Sequence, residues 1–361
     1  MAEIRLENLG HSYDGGTTYA LNPLNLTWKD GNAIALLGPS GCGKTTLLNI
    51  ISGLITPSSG RVYFDGVDVT ESDTARRNVA QVFQFPVLYD TMTVSQNLAF
   101  PLKNRGISKD EISKRIAEVA ELLDLTKYLD ERPLRLRSDL QQLVSLGRGL
   151  VRKDVPAILF DEPLTVIDQN FKWTLRGRLK ELHRVTKHTL VYVTHDQTEA
   201  LTFADEVVVL NEGSVVQSGS SADLFLQPEH EFVGFFIGSP GMNFLNASIT
   251  NGLVVLNNQE IGSAKSFGGQ NLDSGSVRIG VRPEFLTISN SNGLPVQIDR
   301  VENRGGYQLA HFELAGSKTI AKLSNETKVA SGQSANLVFD QERTYLFRES
   351  QLCGRLVSKV S

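Results

Sequence analysis

Short apolar runs alternate with helical patterns along the first two thirds of the chain. The apolar run 34–37 ends at a glycine-rich loop, and a helical pattern follows from about 44 to 52. Further apolar runs at 157–160, 190–193 and 206–210 alternate with polar helical patterns. Apolar runs without polar alternation are typical of strands buried on both faces. The pattern therefore predicts an α/β layer with parallel strands.

A longer helical stretch interrupts this layer. Between about 93 and 155 the apolar residues recur at helical spacing, and Ile112, Ile116 and Val119 share one face. Such a face needs other apolar surface to pack against, so these helices are expected to bury it together. We therefore predict a helical subdomain over about 93–155, inserted into the α/β layer.

The character of the sequence changes near its 238th residue. Beyond that point long helical patterns disappear, and residues such as Val277 and Ile279 alternate with polar ones. Gly305-Gly306 is typical of a hairpin turn. Many short strands in this length of chain predict an all-β, OB-like small barrel. We expect two domains, at 1–238 and 239–361.

Composition narrows the classes of function. The 361 residues are 40% hydrophobic and 21% charged, which excludes a disordered or collagen-like chain. The formal net charge of −4 gives no general attraction to nucleic acid, so no nucleic-acid partner is expected. The only cysteines, Cys42 and Cys353, exclude a disulfide framework. Because no apolar run has the length of a membrane-spanning helix, we expect a cytosolic protein that meets a membrane through a partner.

The glycine-rich loop carries the most specific chemical motif. Residues 38–45 read Gly-Pro-Ser-Gly-Cys-Gly-Lys-Thr and match the pattern of a phosphate-binding loop. Glycines let backbone N–H groups close around phosphate oxygens at the N-terminal end of the next helix. Lys44 is suited to reach the β- and γ-phosphates, and the Thr45 hydroxyl is suited to ligate Mg²⁺. The predicted nucleotide contacts are Gly38, Pro39, Ser40, Gly41, Cys42, Gly43, Lys44, Thr45 and Thr46.

Two acids follow the apolar run 157–160. An acid at the C-terminal end of a strand beside a phosphate loop is suited to hold Mg²⁺, which assigns Asp161 to the metal. Glu162 is then placed to orient or deprotonate the attacking water. A solvated acidic turn before Pro163 is the alternative, and the phosphate loop favours the catalytic interpretation.

Further motifs follow the phosphate loop in order: Val82-Phe83-Gln84, Leu159-Phe-Asp-Glu-Pro-Leu164, Tyr192-Val-Thr-His-Asp-Gln-Thr-Glu-Ala200, the segment 232–245, and Ile279-Gly-Val-Arg-Pro-Glu284. Together they resemble the ATP-binding subunit of an ABC transporter of the carbohydrate-importer type, which includes the maltose, glycerol-phosphate and glycerol importers. The resemblance covers essentially the whole chain. It implies an ATP hydrolase that uses ATP and Mg²⁺. It also implies an α/β P-loop domain followed by a small barrel that serves either regulation or dimerisation.

The resemblance assigns roles outside the phosphate loop. It implies that Tyr13 stacks on adenine and that Gln84 contacts both Mg²⁺ and the attacking water. It also implies that His195 senses the γ-phosphate. Asp168 matches the aspartate of a nucleotide-site loop that communicates across an ATPase dimer. A lone tyrosine, glutamine or histidine is more often structural, but His195 lies between the apolar run 190–193 and Asp196-Gln-Thr-Glu199, which favours the functional interpretation.

One segment departs from the family pattern. Where the family has the signature Leu-Ser-Gly-Gly-Gln, which completes the ATP site of a partner chain, this sequence reads Leu136-Arg-Ser-Asp-Leu140. Arg137 removes a hydroxyl, and Asp139 brings negative charge toward phosphate. At ~4 Å and an effective dielectric near 20, such a pair repels by about 4 kcal/mol. The charge of Arg137 acts in the opposite direction, so the sequence leaves the sign of the net effect open. Ser138 and Gln141 fit a capping box, so we expect a normal helix start.

These features predict one half of a heterodimeric importer motor, with one competent ATP site per heterodimer. The implied partners are a second ABC ATPase with an intact signature, two membrane permease subunits and, indirectly, a secreted or periplasmic binding protein. The expected location is the cytoplasmic side of the inner membrane. By resemblance, glycerol is the first choice among carbohydrates and polyols. The apolar loop 85–89 is the expected docking site for a permease helix. The alternative is a soluble ABC-type regulatory ATPase without a permease.

Overall fold

The computed structural model describes residues 2–269, 271–289 and 291–358, and the chain divides into two compact units, Met1–Ser221 and Ala222–Ser361. In the first unit, strands β1–β10 are Ile4–His11, Leu21–Trp28, Ala33–Leu37, Ser59–Phe64, Val67–Asp68, Ala80–Val82, Ala157–Asp161, Thr189–Thr194, Glu206–Asn211 and Ser214–Gly219. Helices α1–α7 are Lys44–Ser52, Thr74–Arg77, Val94–Lys103, Lys109–Leu122, Ser138–Leu150, Gln169–Thr186 and Gln197–Phe203, with short 3₁₀ turns at Thr126–Tyr128 and Pro133–Arg135.

A mostly parallel sheet forms the centre of the first unit, which confirms the predicted α/β layer. Its strand order is β10-β9-β3-β8-β7-β6; β3 runs parallel to β8 and β9, and β7 runs parallel to β6 and β8. Every residue of β3, β7 and β8 is buried, as apolar runs without alternation predict. An antiparallel sheet, β2-β1-β4-β5, lies in the same unit. The parallel arrangement gathers the C-terminal ends of the strands along one edge.

The predicted helical segment is present as α3, α4 and α5. Apolar side chains of these helices share one core with the strands β6 and β7, including Val82, Leu98, Ile116, Leu143 and Phe160. The helix α3 begins with a capping box in which Thr93 and Gln96 exchange hydrogen bonds. The helical segment is therefore continuous with the core of the sheet.

The capping box predicted at the start of α5 is wrong, although the helix does begin at Ser138. Arg137 occupies the cap position and makes no side-chain cap bond. The Gln141 side chain instead donates to the backbone carbonyls of Pro133 and Leu136. Ser138 is already helical, so its hydroxyl is not at the position from which a cap accepts the bond.

The second unit holds two sheets, as the prediction of a small barrel requires. Strands β11–β21 are Asn243–Thr250, Leu253–Leu256, Gln259–Ser266, Ser274–Val281, Leu286–Ser289, Leu294–Asn303, Gln308–Leu314, Ser317–Leu323, Ser334–Phe339, Thr344–Arg348 and Gln351–Val357. A closed barrel has the order β11-β12-β13-β21-β20-β14, and a sheet has the order β15-β19-β16-β17-β18. The turn at Gly305-Gly306 joins the antiparallel pair β16 and β17, as predicted.

A buried arginine fixes the short helices α8, Ser221–Leu226, and α9, Glu231–Phe236. Arg282 is 1% exposed and follows β14. Its guanidinium donates to backbone carbonyls at or near the C-terminal ends of α8 and α9, those of Leu224, Phe225, Gly234 and Ile237. Burial lowers its pKa to about 10. This single side chain satisfies carbonyls that both helix ends would otherwise leave without a donor.

Candidate functional site

The phosphate-binding loop follows β3 and opens α1. Gly43 has φ +100°, and a Cβ there would lie 2.5 Å from the carbonyl oxygen of Ala20. Gly38 is equally constrained, because a Cβ would lie 2.2 Å from the carbonyl oxygen of Leu210. Only glycine fits these two positions, so the loop shape is determined by the glycines in the sequence.

Lys44 lies inside the curve of this loop. Its buried ammonium donates to the carbonyls of Gly38, at 2.9 Å, and Pro39, at 2.8 Å. The ammonium is also 3.7 Å from the Cys42 sulfur. Burial raises the pKa of the Cys42 thiol, and the charge of Lys44 opposes that rise. The loop thus surrounds a fixed positive charge, as phosphate binding requires.

Thr45 and Asp161 meet beside the loop. The Thr45 hydroxyl is 3.1 Å from Oδ1 of Asp161, which ends the buried strand β7. Burial raises the pKa of the Asp161 carboxyl, and Glu162 adds to the rise, whereas Thr45 and Lys44 oppose it. A nearby cation favours the ionised form of such a carboxyl. Hydroxyl and carboxylate oxygens are ligands that Mg²⁺ prefers, so this pair fits a magnesium ion.

Glu162 and His195 form a second pair at the same sheet edge. Nδ1 of His195 is 3.0 Å from the Glu162 carboxylate, because the neighbouring strands β7 and β8 end side by side. Glu162 has φ +46°, a backbone conformation that is strained for any residue other than glycine. Its amide donates to the carbonyl of Val193, which holds the residue in this conformation.

Sequence reasoning missed Thr165 as a contact of Glu162. The Thr165 hydroxyl lies 3.1 Å from the Glu162 carbonyl oxygen and 3.3 Å from its carboxylate. A hydroxyl residue three positions after an acid in a turn was the available signal. Thr165 therefore belongs with the residues that orient this carboxylate.

The other assigned residues lie around this centre. Gln84 follows β6, whose Val82 pairs with Phe160 of β7, so it leaves the sheet from the same edge as the two acids. The Tyr13 side chain is 66% exposed, and its hydroxyl is 3.1 Å from that of Thr46 in the first turn of α1. An exposed ring at this position is available for stacking on a base.

Asp168 and the segment 136–140 share a different surface. Asp168 immediately precedes α6 and lines a groove of about 670 Å³ with Arg137 and Asp139. Arg137 and Asp139 form an ion pair at 2.9 Å, and the Arg137 side chain is largely exposed. The two opposite charges of the segment 136–140 therefore already contact each other.

The apolar loop 85–89 is partly exposed and partly packed. Phe85 is 68% exposed and Val87 is also exposed. The Tyr89 ring, in contrast, lies 4.6 Å from that of Phe100 in α3, and the Arg148 guanidinium stacks 4.9 Å from it. The loop is thus anchored to the helical segment at its end and presents apolar side chains at its start.

The strand, glycine-rich loop and helix, with acids at the end of a parallel strand, define the class as a P-loop ATPase. A family model described as ABC transporter matches residues 21–165, and models for the MalK OB fold domain and the TOBE domain match 238–286 and 279–347. The chain belongs to the ATP-binding subunits of ABC transporters of the MalK and UgpC importer type. Members of this family are ATPases that bind ATP with Mg²⁺.

Full-length relatives support this assignment. The chain is 38% identical over 339 residues to the sn-glycerol-3-phosphate import ATP-binding protein UgpC of Ruegeria pomeroyi, covering 94% of each chain. It is 36% identical over 359 residues to the protein of the same name from Escherichia coli, covering 96% of this chain and 98% of the relative.

Solved structures match the first part of the chain. The bacterial ABC transporter cassette MJ0796, solved as a dimer, aligns with a TM-score of 0.56 at 32% identity, over 60% of this chain and 98% of the cassette. The same cassette has been solved bound to ADP and Pi. The cbiO1 protein of Clostridium perfringens aligns with a TM-score of 0.57 at 28% identity, over 62% of this chain and 90% of its own. Across the described residues, every helix is too short or too polar to cross a membrane.

Proposed function

We propose that this chain powers the uptake of a polyol or polyol phosphate, with glycerol or glycerol phosphate as the substrate. The observation that carries the ATPase part of this proposal is the convergence of Lys44, Thr45, Asp161, Glu162 and His195 at one sheet edge. The relatives named sn-glycerol-3-phosphate import ATP-binding protein UgpC support the substrate class. The chain itself supplies the ATPase of such a system.

In this proposal each residue of the site has one task. Lys44 and the loop amides hold the phosphates, while Thr45, Asp161 and Gln84 hold Mg²⁺, which when bound neutralises charge on the phosphate oxygens. Glu162 orients the attacking water and accepts its proton. His195 contacts the γ-phosphate and, through the 3.0 Å bond, holds the Glu162 carboxylate in place. Tyr13 stacks on adenine, and Asp168 communicates with the partner ATPase.

The proposed partners are two permease subunits and, through them, a periplasmic binding protein. Exposed apolar residues at the start of the loop 85–89 support a docking site for a permease helix there. Such docking places the chain at the cytoplasmic face of the membrane. Photocrosslinking from Val87, which is exposed, should capture a permease cytoplasmic loop. An active assembly that gives no crosslink from this position would contradict the docking site.

We further propose that the motor is an asymmetric heterodimer. The diverged segment lacks the glycines that allow close approach to phosphate, and it carries the Asp139 carboxylate, which is paired with Arg137 at 2.9 Å. The part of the ATP site that surrounds the phosphate loop, in contrast, keeps all the side chains that the proposed hydrolysis requires, namely Lys44, Thr45, Asp161, Glu162 and His195. The competent ATP site therefore joins this chain's phosphate loop to an intact signature of a second ATPase, and the opposite site turns over slowly.

The asymmetry is tested with matched variants in the reconstituted complex. Glu162→Gln in this chain should remove most of the steady-state ATPase activity, because it disables the competent site. The equivalent substitution in the second ATPase should cost much less, and Glu181→Gln, at an exposed site on α6, should leave activity unchanged. Equal losses from the two catalytic variants, or vigorous hydrolysis by this chain alone, would establish a symmetric motor instead.

A further inference from the structure

A buried carboxylate next to the candidate site has no role in the proposed binding of nucleotide and Mg²⁺ or in the proposed hydrolysis. Glu199, on α7, is 4% exposed. Its Oε2 accepts hydrogen bonds from the Tyr192 hydroxyl, at 3.0 Å, and the Thr194 hydroxyl, at 2.8 Å. Its Oε1 lies 3.7 Å from the Lys172 ammonium, which is itself mostly buried. A buried charge is retained at a cost, so a network this complete calls for an explanation.

One side of the network holds the turn that carries His195. Thr194 is the residue before His195, and its hydroxyl donates to Glu199 while accepting the amide of Asp196 at 3.0 Å. The Asp196 carboxylate in turn caps α7 by accepting hydrogen bonds from the backbone amides of Thr198 and Glu199. The residues on both sides of His195 are therefore fixed by hydrogen bonds that lead to one carboxylate.

Tyr192 gives the carboxylate a permanent donor. Burial and the neighbouring Glu199 charge raise the pKa of the Tyr192 hydroxyl well above its usual range. The hydroxyl therefore stays protonated and keeps donating to Glu199. Of the three contacts of this carboxylate, the one with Lys172 is the longest, at 3.7 Å, and it links the carboxylate to α6.

The other side of the network leads to the loop at Asp168. The Lys172 amide donates to the Asp168 carbonyl at 2.8 Å in the first turn of α6, so Lys172 and Asp168 are held at a fixed separation. A displacement of that loop which carries the first turn of α6 along moves the Lys172 ammonium relative to Glu199. Separation of this pair leaves the buried Glu199 carboxylate without the Lys172 ammonium. The carboxylate is then expected to shift, and the turn at Thr194–Asp196, which is bonded to it, is expected to shift with it.

We propose that Glu199 is a positioning residue for His195, and that the Lys172–Glu199 pair transmits the position of the Asp168 loop to the His195 turn. The inference rests on the proposed role of His195. It explains why an acid is buried one helical turn after the γ-phosphate-sensing residue. It also gives a physical connection between the dimer-facing loop and the hydrolytic centre within one chain.

The first experiment separates positioning from simple stabilisation. In the reconstituted complex, Thr194→Val and Glu199→Gln should each lower kcat by about 10- to 100-fold with KM for ATP nearly unchanged. Thr194→Ser, which keeps the hydroxyl, should retain wild-type kcat, and Lys172→Arg should retain more activity than Lys172→Met. Variants that melt at lower temperature but keep wild-type kcat would overturn the proposal.

A second measurement does not depend on turnover. Hydrogen exchange of the full chain should show faster exchange at 193–197 in Thr194→Val and Glu199→Gln, with the amides of the phosphate loop unchanged. Unchanged exchange at 193–197 would overturn the positioning role. A wild-type complex that hydrolyses no ATP would refute the proposed function, and the exchange data would still decide whether Glu199 holds the His195 turn.

Discussion

Replacing Gly38 by alanine should weaken nucleotide binding, although the substitution removes no polar group. The new Cβ would lie 2.2 Å from the Leu210 carbonyl oxygen and 2.7 Å from the Cys42 sulfur, where ordinary contacts begin at 3.4 Å. The Leu210 oxygen belongs to the backbone of β9 and cannot rotate away. Relief therefore requires the phosphate loop and β9 to separate by more than about 1 Å.

The size of the effect follows from the cost of overpacking. Added atoms in a close-packed site cost about 1–3 kcal/mol, and a clash with backbone belongs at the upper end, about 2–3 kcal/mol. If the loop deforms, ATP affinity falls by the same free energy, which is roughly 30- to 150-fold. If the strand deforms, the free energy of unfolding falls instead. The two losses should together account for about 2–3 kcal/mol.

Two measurements on the full chain decide this prediction. Titration with a fluorescent ATP analogue and Mg²⁺ gives the affinity, and thermal unfolding without nucleotide gives the stability. Gly177→Ala is the matched control, because Gly177 lies in α6 and the new Cβ would have no atom within 4 Å beyond its neighbouring residues and the backbone of its own helix. It should leave affinity unchanged and stabilise the helix by about 0.5–1 kcal/mol. A Gly38→Ala variant with unaltered affinity and stability would refute the steric argument.

Three further outcomes are expected. A bulky thiol reagent on Cys42 should abolish ATP binding, and Mg-ATP should slow the labelling. Because burial raises the pKa of the thiol, the labelling rate, followed by mass spectrometry, should increase as pH rises. Equal labelling rates with and without nucleotide would contradict enclosure of the nucleotide by the loop. Arg282→Met should lower the free energy of unfolding of the second unit by about 3 kcal/mol in calorimetry while ATP affinity stays constant, since carbonyls of α8 and α9 lose their donor. Asn97→Ala, which removes side-chain bonds to the backbone of Tyr89 and Thr93, should cost about 2 kcal/mol and reduce stimulation of the ATPase by the permeases.

Some boundaries were predictable because glycines mark them. The helix α1 spans Lys44–Ser52, as its pattern predicts, since Gly43 and Gly53 adopt positive φ on either side of it. The convergence of Asp161 and His195 on one sheet edge was also predictable, because parallel strands end on the same side. In both cases the local sequence predicts the structure that the fold topology also requires.

Other features depend on tertiary contacts that no local pattern contains. The cap at α5 differs from the prediction because the Gln141 side chain binds carbonyls of the preceding 3₁₀ turn. The left-handed backbone of Glu162 depends on an amide bond to the neighbouring strand. The burial of Glu199 depends on Lys172, which lies 27 residues earlier in the chain. Each requires knowledge of which segments lie side by side.

The connectivity of the central sheet has a mechanical consequence. The helical segment leaves the sheet at the end of β6 and returns at the start of β7, and these strands are parallel neighbours. The two attachment points are therefore about 10 Å apart along the sheet, given the rise of each strand residue. Beyond these two covalent connections, the segment is held by the core that its apolar side chains share with β6 and β7. A displacement of the helical segment is thus transmitted to β6, the edge strand, which ends two residues before Gln84.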